Sequence, residues 1–427
     1  MRNLLIIFVT MLGLVACDKE LVDETSTIHV NNVNSENNNN LRDYNVALKI
    51  AERYVFGSVQ TRSETHAVNN SFIYTPAIVT RGSDEMVPSF YIINFDDNKG
   101  YAVVSMDKRM TPVYAYSEHG NINKTDIEKD PGWKCFFSAA TSYCKSELKL
   151  DTTKLRFKLD DPIEKYGDVA AAITEIYNGV ECKILRSMTY DTIVPKLTTE
   201  WEQCRPYNMY FPEDKENGLE YDNKVATGCV PIALGQIMTY FRHPEKYNVH
   251  KYDWNAILSQ SMYYWGDDFK EGCKQTAMLL RDIADASEIN IEDIKDVVGL
   301  SFEHAKKIMN RFGYNYNVGG FSADIVWKSL FEDHPVFIRG GAANYAAGHA
   351  WVIDGGRSET ITTKYYHAYP PYPIFDTTSS TVYYFHCNWG YGDIGSSDIY
   401  VLNVFESPDD ITFNDNVLTM TFITPKK

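Results

Sequence analysis

Positive charge is in short supply. The 427-residue chain carries 41 Lys and Arg against 57 Asp and Glu, a formal net charge of −16. A nucleic-acid binder needs a basic face to neutralise phosphates, so that class is set aside. Metal-ligand spacing is missing as well: among eight cysteines and ten histidines there is no CxxC pair and no Cys/His spacing of a zinc site. No apolar run after residue 17 is long enough to span a membrane, and no internal repeat is visible. Composition excludes disorder outside short segments, because 44 % hydrophobic and 14 % aromatic residues, 30 tyrosines among them, supply real cores. A chain of this length is expected to form two or three domains.

What is present begins with a short export signal. Arg2 is followed by an apolar core from Leu4 to Leu14, and Leu14-Val15-Ala16-Cys17 reads as a small-residue cleavage site ending in cysteine. Residues 1–17 are therefore expected to be a bacterial lipoprotein signal with Cys17 as the lipid-bearing N-terminus. The other reading is an ordinary secretory signal with a coincidental cysteine. Removing Cys17 leaves seven cysteines, an odd number, so at least one thiol of an exported chain stays unpaired and open to reaction.

Residues 18–44, with the tract "NNVNSENNNN", read as a flexible tether. Residues 45–186 read as a small α+β domain. It has a helix at "YNVALKIAERYVFG", then strands Phe90–Phe95 and Tyr101–Ser105 around the turn "DDNKG", and a third over residues 113–116. Its His119 stands alone, so no chemistry is expected there. A second region, assigned to residues 187–427, has helical patterns around 229–241, 277–287 and 302–312 and is strand-rich afterwards. That order predicts α+β architecture with an antiparallel sheet. The segment between the two regions, "EIYNGVECKILRSMTYDTIVPKLTTEW", reads as a weakly structured linker with a basic site at Arg186-Ser187, where nicking is expected.

One stretch carries chemistry: "VATGCVPIALGQIMTYF". Pro231 suits the first turn of a helix, and Ile232, Ala233, Gln236, Ile237, Tyr240 and Phe241 recur at helical spacing before His243-Pro244 ends it. Cys229 thus sits at a helix N-terminus, where free amides and the macrodipole favour a thiolate. A thiol nucleophile needs a base, and the base an orienting group. His349, in "AAGHAWVIDGG", follows Cys229 by 120 positions and lies where a strand leaves a small-residue turn. Asn388, 159 positions after the cysteine in "FHCNWGYGD", can accept the imidazole N–H, and Trp389 can cover that bond from water. His386 ranks second as base, and His243 and His250 lack the glycine approach. The Cys229 N–H and the side-chain amide of Gln203, in "EWEQCRPYN", are the candidate oxyanion donors.

Together "EWEQCRPYN", "ATGCVPIALGQIMTYFRHP", "GHAWVIDG" and "HCNWGYG" resemble the streptopain family of bacterial papain-like cysteine peptidases. The stretch "YIINFDDNKGYAVVSMDKRMTPVYAYSEHG" resembles that family's inhibitory prodomain. The resemblance implies a papain-like α+β catalytic domain behind a small α+β prodomain, with Cys229 as nucleophile and His349 as base and acid. It also implies Gln203 as oxyanion donor, Asn388 as orienter and Trp389 as shield, with no metal or organic cofactor. Two departures bear on substrate preference. The family's W-G-W-G-G loop has Tyr391 and Asp393 in place of its second tryptophan and last glycine, and residues 357–381 lengthen the interval from His349 to Asn388 into an expected hairpin.

The expectation is an exported cysteine endopeptidase zymogen, on the cell envelope or released after maturation near Arg186. It acts on protein or peptide substrates and is restrained by its own prodomain. The alternatives are a non-catalytic envelope lipoprotein used in binding or adhesion, and a cell-wall amidase or transpeptidase on the same fold.

Overall fold

The computed structural model describes residues 40–57, 66–76, 88–149, 173–216, 222–341, 348–392, 399–405 and 417–426. The signal, Cys17 and most of the Asn-rich tract lie outside the described residues. The tether, expected to run to residue 44, is already tied down at residue 41. Leu41 bridges to Asp107, and the buried Arg42 donates from Nη1 to Ser105 Oγ at 2.7 Å.

Helix α1 (Tyr44–Phe56) is capped by Asp43, whose carboxylate accepts the N–H groups of Asn45 and Val46. It packs on strands β1 (Val68–Tyr74), β2 (Phe90–Phe95), β3 (Tyr101–Ser105) and β4 (Val113–Ser117), followed by α2 (Lys124–Lys129) and α3 (Pro131–Lys149). Hairpin β5 (Ile173–Tyr177) and β6 (Val180–Ile193) comes next, then α4 (Cys229–Phe241) and the small hairpin β7 (Lys246–Tyr247) and β8 (His250–Lys251). Helices α5 (Trp254–Leu258), α6 (Glu271–Asp285) and α7 (Phe302–Arg311) follow, then β9 (Tyr314–Gly320) and α8 (Ala323–Phe331). Strands β10 (Val336–Gly341), β11 (Gly348–His367), β12 (Ile374–Asn388), β13 (Ile399–Leu402) and β14 (Leu418–Pro425) complete the chain.

These strands make one antiparallel sheet in the order β1-β2-β3-β4-β13-β12-β11-β10-β14-β9. The two regions are therefore joined edge to edge, β4 pairing with β13 through Ala115 to Val401 and Tyr116 to Tyr400. Neighbouring residues of the central strands feed opposite cores. Val336, Ile338, Trp351 and Ile353 join the core that contains α1 and α3, whereas Phe337, Ala350 and Val352 join the one around α4. A sheet buried on both faces reads as continuous apolar runs, as "PVFI" and "AWVI" do.

The linker reading is corrected. Arg186 and Ser187 lie inside the 14-residue β6, opposite Thr363 and Thr362 of β11. The outer half of β11 takes β6 on the edge that its inner half gives to β10. The chain crosses this edge at residues 193–195, where a Cβ on Gly355 would lie 2.8 Å from the Pro195 nitrogen, so only glycine fits. Residues 357–381 do form a hairpin, the outer arms of β11 and β12. The seven cysteines after Cys17 are all free. Cys135 and Cys144, for which pairing stood open, lie half a turn out of phase on α3 and point apart.

Candidate active site

Cys229 opens α4. The preceding Gly228 adopts φ 84°, and a Cβ there would meet the Val298 carbonyl oxygen at 2.1 Å, so the tight approach to the helix requires glycine. Behind Cys229 the helix is buried from Val230 to Thr239 and has no side-chain cap. The Ala350 N–H, on the residue after His349, lies near enough to the Cys229 thiol to favour its ionisation, which places candidate nucleophile and candidate base together at the start of β11. Desolvation pushes the Cys229 thiol up. The Ala350 N–H, the Arg339 guanidinium and the N–H groups of Cys229 and Val230 pull it down, without cancelling the burial. The expectation of a thiolate set by the helix terminus is therefore corrected for the full-length chain.

His349 is buried as the second residue of β11, opposite Gly340 of β10. Its Nε2 lies 2.9 Å from the Trp389 carbonyl, which only accepts, so that nitrogen carries the hydrogen and Nδ1 accepts from the Tyr391 hydroxyl at 3.2 Å. The ring is stacked by Tyr391 (5.0 Å, 10°), Trp351 (6.0 Å, 12°) and Trp389 (5.9 Å, 26°). Burial lowers its pKa to about 4, against the pull of the Trp389 carbonyl, so the imidazole is neutral at pH 7.

Asn388 does not reach His349 in this arrangement. Its Nδ2 donates to the Thr199 carbonyl at 2.8 Å and to Gln236 Oε1 at 3.2 Å, while its Oδ1 accepts from Gln236 Nε2 and the Gly390 N–H. Gln236 is a site residue that the sequence reading passed over as helix periodicity. A signal was available, because it is a polar residue in an apolar helix, two turns after Cys229 and on the same face. Trp389 lies flat beside His349 and Trp351. Gln203 is half-buried, and its carbonyl accepts the Thr227 N–H at 3.1 Å, fixing its loop two residues before Cys229. Of the rival histidines, His386 pairs with the buried Asp354 at 2.6 Å, and His250 pairs with Asp282. Asp354 also accepts the N–H groups of Lys196 and Leu197, which makes the His386 pair an anchor for the chain entering the catalytic region.

Helix α3 covers the His349 side of the site. A Cβ on Gly132 would lie 2.7 Å from Trp389 Cε3, and Cys135 packs on Gly340, so Trp351 and Trp389 share a core with Trp133 and Phe136. Residues 201–400 match the peptidase C10 family, and residues 34–144 match the Spi protease inhibitor family. The chain belongs to the streptopain-type cysteine peptidases. The peptidase is similar to streptopain of Streptococcus pyogenes serotype M1, 23% identical over 354 residues and covering 74% of either chain. It is also similar to the thiol protease/hemagglutinin PrtT of Porphyromonas gingivalis, 22% identical over 370 residues, 79% of this chain and 36% of that one. Among solved structures, a fragment of Prevotella intermedia prointerpain A, in a cysteine-to-alanine variant, is covered entirely by 84% of this chain at TM-score 0.51 and 18% identity. The fold is thus papain-like α+β with a prodomain in front, and the protein is a cysteine-type endopeptidase made with an inhibitory prodomain. No described helix is long and apolar enough to cross a membrane.

Proposed function

We propose that the chain is the exported zymogen of an endopeptidase that cuts protein substrates through a Cys229 thioester, with residues 45–186 as prodomain and 187–427 as catalytic domain. The observation that carries this reading is the nearness of Cys229, at the start of α4, to the first residues of β11 around His349 and Ala350, which supports Cys229 and His349 as one reacting pair. In the active form His349 takes the thiol proton and the sulfur attacks the scissile carbonyl carbon. The carbon–nitrogen bond breaks, and the imidazolium returns the proton to the leaving amine. Water then attacks the thioester, giving its proton to His349, and the freed thiolate recovers it. The Cys229 N–H and the Gln203 amide stabilise the oxyanion, and Asn388 with Trp389 orients the imidazole.

The acceptor nitrogen of His349, Nδ1, is occupied by the Tyr391 hydroxyl in the resting arrangement, so activation requires that bond to break, and orientation by Asn388 requires Nε2 to leave the Trp389 carbonyl. Contact between α3 and Trp389 supports the prodomain as the element that holds them in place. Cleavage near Arg186 requires the outer half of β6 to peel from β11, and lipid attachment at Cys17 would place the zymogen on the envelope.

Replacing Cys229 with alanine tests the assignment. Hydrolysis of casein and alkylation by iodoacetamide at this position should both vanish while the fold persists. Retained hydrolysis would sink it.

A further inference from the structure

A charge lies beside the nucleophile that the scheme above does not use. Arg339 is the last residue of β10 before two glycines, and its register partner is Ala350, whose N–H lies near the Cys229 thiol. The guanidinium leans back over Gly348, the residue before His349. A Cβ there would lie 3.1 Å from Arg339 Nη2 and 3.3 Å from its Cζ, so the missing side chain of Gly348 is what gives the group its room. Its charge is felt by the thiols of Cys229 and Cys135, on the two faces of the sheet.

The group is half-buried, and no carboxylate among the described residues lies within ion-pair distance of it. That is unusual in a chain with 57 Asp and Glu residues. A partly desolvated guanidinium without a counter-ion is costly, and a planar carboxylate is its best-matched partner.

Resting on the peptidase reading above, we propose that Arg339 is a specificity residue that receives the carboxylate of an Asp or Glu side chain close to the scissile bond. The surroundings repel such substrates at long range, since the chain is acidic overall, so selection depends on this one group at contact distance. Arg339 makes no bond to the reacting atoms in this role; it chooses which peptides reach them.

The test uses the processed enzyme and a peptide series carrying Glu or Gln at one position at a time around the cleaved bond. At one position the wild type should favour Glu in kcat/KM by about tenfold or more, the scale of one well-placed charge pair. Arg339→Gln should bring that ratio close to one, Arg339→Lys should keep most of it, and rising salt should shrink it in the wild type. The salt series needs no variant, so a variant that fails to fold leaves the proposal open to refutation. No Glu preference at any position, or a preference that survives Arg339→Gln, overturns the proposal. An equal fall on Glu and Gln peptides overturns it as well, because it assigns Arg339 to thiolate stabilisation alone. Failure to cut any peptide overturns the peptidase reading together with the proposal, whereas cleavage without acidic preference overturns the proposal only.

Discussion

His349 donates its Nε2–H to the carbonyl of Trp389 at 2.9 Å, while the neighbouring Asn388 spends its amide on Gln236 and Thr199. The expected orienter and the candidate base are thus adjacent in the chain's architecture without being bonded.

Two histidines separate catalysis from stability. His349→Ala should abolish turnover in the processed enzyme with little loss of fold. His386→Ala should leave the activity of folded molecules largely intact. It strands the buried Asp354 carboxylate, a defect that costs roughly 3–5 kcal/mol when a buried pair is broken. Denaturant melts and active-site titration on both variants decide it, and the reversed pattern would make His386 the base.

Acid should weaken the resting site. Burial holds His349 at about 4 when folded, against an ordinary 6.5, so between those values the unfolded chain binds a proton that the folded chain refuses. The contribution is fully present above pH 6.5 and is lost as pH falls towards 4, by on the order of 3 kcal/mol. In a pH series of melts, wild type should lose stability from pH 6.5 towards 4 more steeply than His349→Gln, and the two curves should run parallel above that window. In the same full-length chain the raised Cys229 thiol should react slowly with iodoacetamide at pH 7, and faster once the prodomain is removed.

Gln203→Ala should lower kcat by roughly 10²–10³-fold with KM nearly unchanged, the effect of losing one oxyanion donor. A change in KM alone would make Gln203 a wall of the cleft.

Gly132 offers a way to loosen the prodomain by a substitution on its own side of the contact. Its added methyl in Gly132→Ala meets the Trp389 ring at 2.7 Å, an overpacking worth about 1–3 kcal/mol. The full-length variant should mature faster than wild type, read as the time course of the shortened chain on a gel. Maturation at an unchanged or slower rate would show that the α3 contact does not restrain the site.

The chain alone determined its local elements. Helical spacing after Pro231 set α4 with Cys229 at its start, and the apolar run, "DDNKG" turn and second apolar run set β2 and β3. Such features depend on residues a few positions apart, so caps, turns and periodicity report them. Tertiary structure decided what joins distant parts. Asn388 and the Thr199 carbonyl that holds it are 189 positions apart, and β4 meets β13 from opposite ends of the chain. The segment 180–193 looked unstructured because its half-exposed residues match a strand only when β11 lies beside them. A ladder partner, a buried amide's acceptor and a thiol's solvation are properties of packing, and no local pattern encodes them.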